Sequence, residues 1–207
     1  MKTNLLIFGD GSHSNVVVDE ISKLKKYTVL GKVSIKNKIK YKNKIFNIKD
    51  FYEKFKKKKI KGIVAIGDNK IRRKVVHEVE KKIPNFKWET LISKDSIISD
   101  KAKIGEGSMI ISGTVININT NIGKHCLINT RSTIDHDNTW EDFTSSGPGV
   151  SSAGNVKIKK NSHIGIGSTI KEKVIIGENT LVGGHSFVNK NCKKNSIYYG
   201  VPAQKKN

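Results

Sequence analysis

From Lys94 to Asn189 the chain repeats with a strict period of six residues. Cut without gaps into sixteen hexads, it places at the fifth position Ile98, Ile104, Ile110, Ile116, Ile122, Ile128, Ile134, Trp140, Ser146, Ser152, Ile158, Ile164, Ile170, Ile176, Val182 and Val188, fourteen of them apolar. Four residues after almost every one stands a small or β-branched residue, and Asn138 is the exception. A period of six matches neither the 3.6 of a helix nor the 2 of a flat strand, but three hexads close one eighteen-residue coil of a parallel β-helix. The branched side chain fills the interior, the small one packs beside it at the corner, and Gly, Asn or Asp supplies the turn. No coil buries its core alone, so the 96 residues predict about five stacked coils. Cys126 then falls on a small interior position. With no paired CxxC spacing, it and Cys192 read as buried thiols rather than a disulfide or a zinc site.

Ahead of this array the pattern is different. Asn4–Phe8 is a short apolar run broken by Gly9-Asp10-Gly11-Ser12, after which Val16, Val17, Glu20, Ile21 and Leu24 keep helical spacing. A second strand is predicted at Tyr27–Val33, and a third at Gly62–Ile66 that ends in Gly67-Asp68-Asn69 and leads into a helix from about Lys70 to Lys82. This alternation predicts a small parallel sheet that binds ligands at the carboxyl ends of its strands. Pro84 and its polar surroundings place the boundary, giving a Rossmann-like α/β domain over 1–85 and a β-helix over 86–207.

Composition narrows the function classes. At 207 residues, 36% hydrophobic and 28% charged, the chain is neither disordered nor collagenous. No apolar run approaches the ~18 residues of a membrane span, and Asp10 cuts off the early apolar stretch before it can act as a signal peptide, so a cytoplasmic protein with no membrane partner is expected. The net charge is +21, yet 36 of the 39 basic residues are lysine, where sites that grip bases or phosphates bidentately favour arginine. The rival class is a nucleic-acid-binding or scaffolding protein whose β-helix has lost catalysis, to be recognised by salt-sensitive DNA or RNA binding, and an aromatic content of 7% without basic-aromatic interleaving argues against it. Residues 1–90 hold 24 basic against 9 acidic side chains, a balance that favours an anionic ligand there.

Four histidines lie in the array. Their places within the eighteen-residue coil all differ, so no two stack on one face, and a metal cluster within one chain is disfavoured. His136 stands in Ile134-Asp135-His136-Asp137, just after an interior isoleucine. Two readings of this corner stand side by side: an aspartate that fixes the ring tautomer and raises basicity so that the other nitrogen takes a proton, or a surface-turn histidine among solvated carboxylates. His125, His163 and His185 lack such company and read as structural or ligand-lining. The Gly9–His13 turn lacks the full G-x-G-x-x-G spacing. Paired with Gly67-Asp68-Asn69 it gains weight, because two loops at the ends of adjacent strands present backbone N–H groups and a helix N-terminus to a diphosphate.

These residues resemble the NeuD family of sialic-acid O-acetyltransferases and related sugar acyltransferases, which includes bacterial enzymes that N-acetylate nucleotide-linked 4-amino sugars. The resemblance covers nearly the whole chain. It rests on Phe8-Gly9-Asp10-Gly11-Ser12-His13, Ala65-Ile66-Gly67-Asp68-Asn69 with Arg72, and Glu89-Thr90-Leu91-Ile92. It continues through Ile128-Asn129-Thr130, Asp135-His136-Asp137, Pro148-Gly149, Ala153-Gly154-Asn155-Val156, Ile164-Gly165-Ile166-Gly167 and Gly200-Val201-Pro202-Ala203. It implies a left-handed β-helix, a homotrimer, and acetyl-CoA as co-substrate held between subunits. It further implies His136 as general base tuned by Asp137, attack of an amine or hydroxyl on the thioester, and no acyl-enzyme. By the same resemblance Gly11, Ser12, His13, Ile66, Gly67, Asp68 and Asn69 hold the nucleotide sugar, while Ser145, Gly154, Ile166 and Gly184 line the groove for acetyl-CoA.

Three departures stand out. The family's Asp-Phe-Val-His-Ile-Ser-Pro-Gly reads Asp142-Phe143-Thr144-Ser145-Ser146-Gly147-Pro148-Gly149, so Ser145 replaces a second histidine. Ser146 and Ser152 interrupt the interior column, either burying hydroxyls that need partners or leaving room for an acyl group larger than acetyl. After strand two, Gly31-Lys32-Val33-Ser34-Ile35-Lys36 replaces a Gly-Phe-x-Asp-Asp pattern, exchanging acidic contacts for lysines. The expected activity is acetyl transfer to a nucleotide-linked amino sugar for surface glycans. O-acetylation of sialic acid or a related sugar is the alternative enzyme reading.

Overall fold

The structure is a computed structural model that describes residues 2–34, 45–55 and 60–206. It divides into two compact units, Met1–Leu91 and Ile92–Asn207.

The first unit is a five-stranded parallel sheet in the order β3-β2-β1-β4-β5, built from β1 (Thr3–Phe8), β2 (Tyr27–Ser34), β3 (Ile45–Asn47), β4 (Lys61–Val64) and β5 (Lys87–Trp88). Helices α1 (Ser12–Lys23), α2 (Ile48–Phe55) and α3 (Asn69–Lys82) connect the strands. Leu5, Leu6, Ile7 and Phe8 are all fully buried, as a parallel strand covered on both faces requires. The order reverses between β1 and β4, so the crevice at their carboxyl ends is the switch point where ligands bind in open parallel sheets. Both glycine loops open there.

Three elements escape the sequence pattern: β3, α2 and β5. In α2 the residues Ile48, Phe51, Tyr52 and Phe55 do keep helical spacing, but over barely two turns flanked by lysine-rich chain, and Phe51 is fully buried against Phe8 with ring centroids 5.0 Å apart. Trp88 stacks edge-on to Phe86 at 4.8 Å and to Phe8 at 5.4 Å, so residues beyond Pro84 complete the first sheet. Gly62 sits beneath this cluster, where a Cβ would lie 2.7 Å from both Phe8 and Phe86. Of the sequence that departs from the family pattern after β2, Ile35 and Lys36 lie outside the described residues.

The second unit is a β-solenoid. After β6 (Leu91–Ile92) come sixteen two-residue strands, from β7 (Ile97–Ile98) to β22 (Phe187–Val188), which are the fourth and fifth places of the sixteen hexads. Each of the first thirteen pairs in parallel with the strand eighteen residues on, as in Thr133↔Ser151 and Ile134↔Ser152, and three sheets result. Fourth-place side chains face outward and fifth-place side chains form the continuous core. The turn residue lies between the branched and the small position. The second place of every hexad from Gly107 to His185 has positive φ, which accounts for the glycines and asparagines there.

Trp140 is fully buried and fills the coil whose following interior positions are Ser146 and Ser152, a large side chain balanced by two small ones. Both hydroxyls have partners. Ser146 Oγ accepts from Asn129 N at 2.9 Å and lies 2.9 Å from Ser132 Oγ, and Ser152 Oγ donates to Asn138 Oδ1 at 2.7 Å. Of the two consequences drawn from these serines, the satisfied buried hydroxyl is the one observed. Cys126 and Cys192 are buried thiols with no disulfide between them, and burial pushes the pKa of the second up to about 12. No helix among the described residues is long and apolar enough to cross a membrane.

Candidate active site

His136 opens the corner that follows strand β13 (Thr133–Ile134). Its backbone N–H donates to Asp135 Oδ1 at 2.8 Å, and Asp137 takes the positive-φ place with φ 57°. That conformation turns the Asp137 carboxylate back onto the ring, with Oδ2 2.7 Å from Nδ1. A carboxylate only accepts, so Nδ1 carries the proton and Nε2 presents its lone pair. The His136 side chain is 47% exposed.

The residues that hold these acids come from the preceding coil. Asn119 Nδ2 donates to Asp137 Oδ1 at 3.1 Å, and Asn117 Nδ2 to Asp135 Oδ1 at 2.9 Å. The hydrogen bond that Nδ1–H donates to Asp137 raises the His136 pKa above the ordinary histidine value; slight burial opposes it, and the Asp135 and Asp137 charges add to it. The reciprocal bonds from His136 and Asn119 hold Asp137 below its usual range. From the following coil Gly154 supplies the seat. A Cβ there would lie 2.5 Å from His136 Cε1 and 2.6 Å from Nε2, so the ring occupies the volume a side chain would fill. Gly154 thus serves the histidine directly. A groove of about 360 Å³ runs beside this corner along the outer face of the same sheet, lined by Val115, Asn117, Thr133, Asp135, Ser151 and Ala153 among others.

The other residues expected along the acetyl-CoA groove lie elsewhere in the coil. Ile166, exposed, stacks on Gly184, where a Cβ would lie 3.0 Å from its Cγ2; both occupy the corner at the opposite edge of that sheet from His136. Ser145 is buried on the outward side of a different sheet. Its Oγ is 2.7 Å from His163 Nδ1, so an imidazole one coil on adjoins the position where the family pattern has one. His125 stacks on Phe143 at 5.2 Å, and His185 lies against Gly167, where a Cβ would meet its ring. Among the described residues no cluster of His, Cys, Asp and Glu is arranged to hold a metal ion.

In the first unit the Gly9–His13 loop passes from β1 to α1. Gly9 has φ 119°, and a Cβ there would lie 2.9 Å from Ala65 O, so only glycine lets the two switch-point loops approach. Gly11 precedes the twelve-residue α1 without a capping side chain, and of the first-turn N–H groups that of Ser14 donates to Gly11 O at 3.0 Å. Lys32 Nζ is held above that turn by Ser14 Oγ at 2.8 Å and Asn15 Oδ1 at 2.6 Å, which adds positive charge. Arg72 is fully buried, its guanidinium donating to Ile66 O at 2.9 Å, Gly67 O at 3.0 Å and Asn69 Oδ1 at 2.8 Å. Asn69 and Asp68 are thereby committed: one accepts from Arg72, and the other caps α3 by accepting from Ile71 N at 2.8 Å. Exposed backbone at Gly67 and the half-buried Ile66 are what this loop presents. His13 is pushed below the ordinary histidine value, first by burial and then by the Arg72 charge, and its buried Nε2 has no hydrogen-bond partner among the described residues.

Sequence reasoning singled out His136, Asp137 and both loops but not Asn117 and Asn119, which hold the two acids. Their signal was an offset: each stands one coil, eighteen residues, before the acid it holds.

Two family models match the chain: the PglD N-terminal domain over residues 4–79, and the bacterial transferase hexapeptide (six repeats) over 155–190. A GDP-perosamine N-acetyltransferase of Escherichia coli O157:H7 is 32% identical over 111 residues, 54% of this chain and 49% of that protein, so the match spans about half the length of this curated relative. Among solved structures, a histidine-to-alanine mutant of GDP-perosamine N-acetyltransferase from Caulobacter crescentus, in complex with CoA and GDP-perosamine, has a TM-score of 0.92 at 25% identity, covering 99% of this chain and 97% of that one. The acetyltransferase domain of PglB from Neisseria gonorrhoeae FA1090, in complex with acetyl coenzyme A, shares the fold with a TM-score of 0.90 at 23% identity over the full length of both chains.

Proposed function

We propose, from the matches to the PglD N-terminal domain over residues 4–79 and to the bacterial transferase hexapeptide over 155–190, that the chain is an acetyl-CoA-dependent N-acetyltransferase acting on a nucleotide-linked amino sugar in glycan synthesis. The observation that carries this reading is the His136 corner: a carboxylate at 2.7 Å fixes Nδ1–H and leaves Nε2 with its lone pair, on a half-exposed ring next to a groove on the solenoid surface.

In the proposed reaction Nε2 of His136 takes the proton from the sugar amine as its nitrogen attacks the thioester carbonyl that acetyl-CoA supplies. The Asp137 carboxylate stabilises the imidazolium so formed. CoA thiolate leaves, and no acyl group is attached to the protein. The first unit holds the nucleotide by its diphosphate, at the uncapped N-terminus of α1 with Lys32 beside it. His136 and the Ile166–Gly184 pair stand at opposite edges of one sheet within a chain, which supports a homotrimer in which a neighbour's corner completes the acetyl-CoA groove. A cytoplasmic location fits a reaction between two soluble, charged co-substrates.

The test is steady-state release of CoA thiol with a 4-amino nucleotide sugar, GDP-perosamine first, against its 4-hydroxyl counterpart. Transfer to the amine at a much higher kcat/KM is expected. Equal rates overturn N-acetylation in favour of a sugar acyltransferase indifferent to the acceptor, and no transfer to either overturns the enzyme reading.

A further inference from the structure

Two irregularities in the hexad pattern, Asn138 in the column of small residues and Ser152 in the interior column, meet in space. Elsewhere the small residue's hydroxyl donates to the carbonyl fifteen residues on, as Ser108 does to Gly123 O at 2.7 Å, Ser162 to Gly177 O at 2.6 Å and Ser168 to Gly183 O at 2.8 Å. Asn138 makes the equivalent bond, Nδ2 to Ala153 O at 2.8 Å, and its longer side chain adds bonds to Asp135 O at 2.9 Å and His136 O at 3.2 Å. Three carbonyl acceptors fix which end of the amide is nitrogen, and Ser152 Oγ donates to the other end, Oδ1, at 2.7 Å. Asn138 is fully buried and Ser152 nearly so. Two N–H hydrogens serve the three carbonyls, and the interior serine, unfavourable in an apolar core, supplies the donor that the amide oxygen needs.

These bonds converge on the histidine. Asp135 O and His136 O belong to the corner from which the ring projects. Ala153 immediately precedes Gly154, on which the ring rests. One buried amide therefore ties together the backbone that carries the ring and the backbone that supports it. Thr120 Oγ1 shares the first of these carbonyls at 2.7 Å and accepts from Asn138 N at 3.3 Å, extending the network to the preceding coil.

We infer that Asn138 is a positioning residue for acetyl transfer, holding His136 at a fixed angle and depth over Gly154 through its amide. The inference rests on His136 being the base. The charged groups facing the ring are Asp135 and Asp137 on its own corner; the residues bonded or stacked against that corner from adjoining coils, Ile118, Asn119, Gly154 and Asn155, are uncharged.

The test is Asn138→Ser, which restores the residue type common in this column, assayed for transfer and for the His136 imidazole titration by NMR. In a folded variant kcat is expected to fall about 10- to 100-fold while KM for both substrates stays within about twofold. The His136 titration should move down toward 6.5 as the ring loosens from Asp137. A folded Asn138→Ser protein with wild-type kcat and an unmoved titration overturns the proposal, and so does a kcat loss that matches the unfolded fraction. If that variant does not fold, Ser152→Ala is read the same way: a smaller fall in kcat with unchanged KM supports the inference, and unchanged kcat overturns it. Should the wild-type protein transfer no acetyl group at all, the transferase reading falls, and the imidazole titration still decides whether Asn138 holds the ring.

Discussion

The two units each carry a histidine at a loop of interest, and they drive the two imidazoles in opposite directions. His13 lies in the α/β unit, largely buried and near a guanidinium, and both effects favour its neutral form. His136 projects from the solenoid, half exposed, with a carboxylate on Nδ1 that favours the protonated form. A neutral imidazole in a basic pocket suits hydrogen bonding to a fixed ligand. An imidazole whose cation is stabilised suits receiving a proton. The same side chain is thus driven toward opposite protonation states in the two units, and the difference lies in what surrounds it.

The strongest way to break this contrast is His136→Ala. Loss of the general base is expected to lower kcat by ~10²–10⁴ with ligand affinity nearly intact, measured by CoA release and by calorimetric binding of the nucleotide sugar. Retained turnover would remove the proton-transfer role from the solenoid histidine.

Asp137→Asn sharpens the same point. A base works only when neutral, so kcat falls with decreasing pH through the His136 pKa, and the raised pKa places that limb above the usual histidine range. The amide cannot stabilise the imidazolium. The limb should therefore move to lower pH while the plateau drops by about 10- to 100-fold. An acid limb that stays in place would mean that the titration belongs to another group.

The smallest effect is expected at His13. His13→Gln keeps a neutral hydrogen-bonding side chain and should raise KM for the nucleotide sugar about 3- to 10-fold, as befits one lost neutral hydrogen bond, with kcat little changed. In the wild type, NMR titration should show His13 protonating below 6.5 and His136 above it. Coincident titrations would erase the contrast between the two units.

The solenoid was far more legible than the sheet because its constraint repeats. One column of isoleucines located every strand of the sixteen, and the departures Trp140, Ser146, Ser152 and Asn138 stood out against it. In the α/β unit each position is used once. Asn69 and Asp68 looked available to a ligand, yet Arg72 and the first turn of α3 occupy them, a competition that no local pattern displays. Gly154 was read as groove lining, whereas its missing side chain makes room for a ring one coil away. The offset of eighteen that pairs Asn119 with Asp137 was already in the numbering, but it acquires meaning only once the coil is known to close.

The positive-φ corners make the solenoid a rack with evenly spaced pegs. Successive coils repeat at about 4.8 Å, the spacing of paired strands. Along His136's line the pegs are Ile118, His136 and Gly154. Transposing the Asp-His-Asp tripeptide by one coil, together with its glycine, would carry the imidazole about 4.8 Å along the axis without turning it. Such a frame lets the distance between a reactive nitrogen and a ligand held elsewhere be reset in discrete steps, with the rest of the fold left as it is.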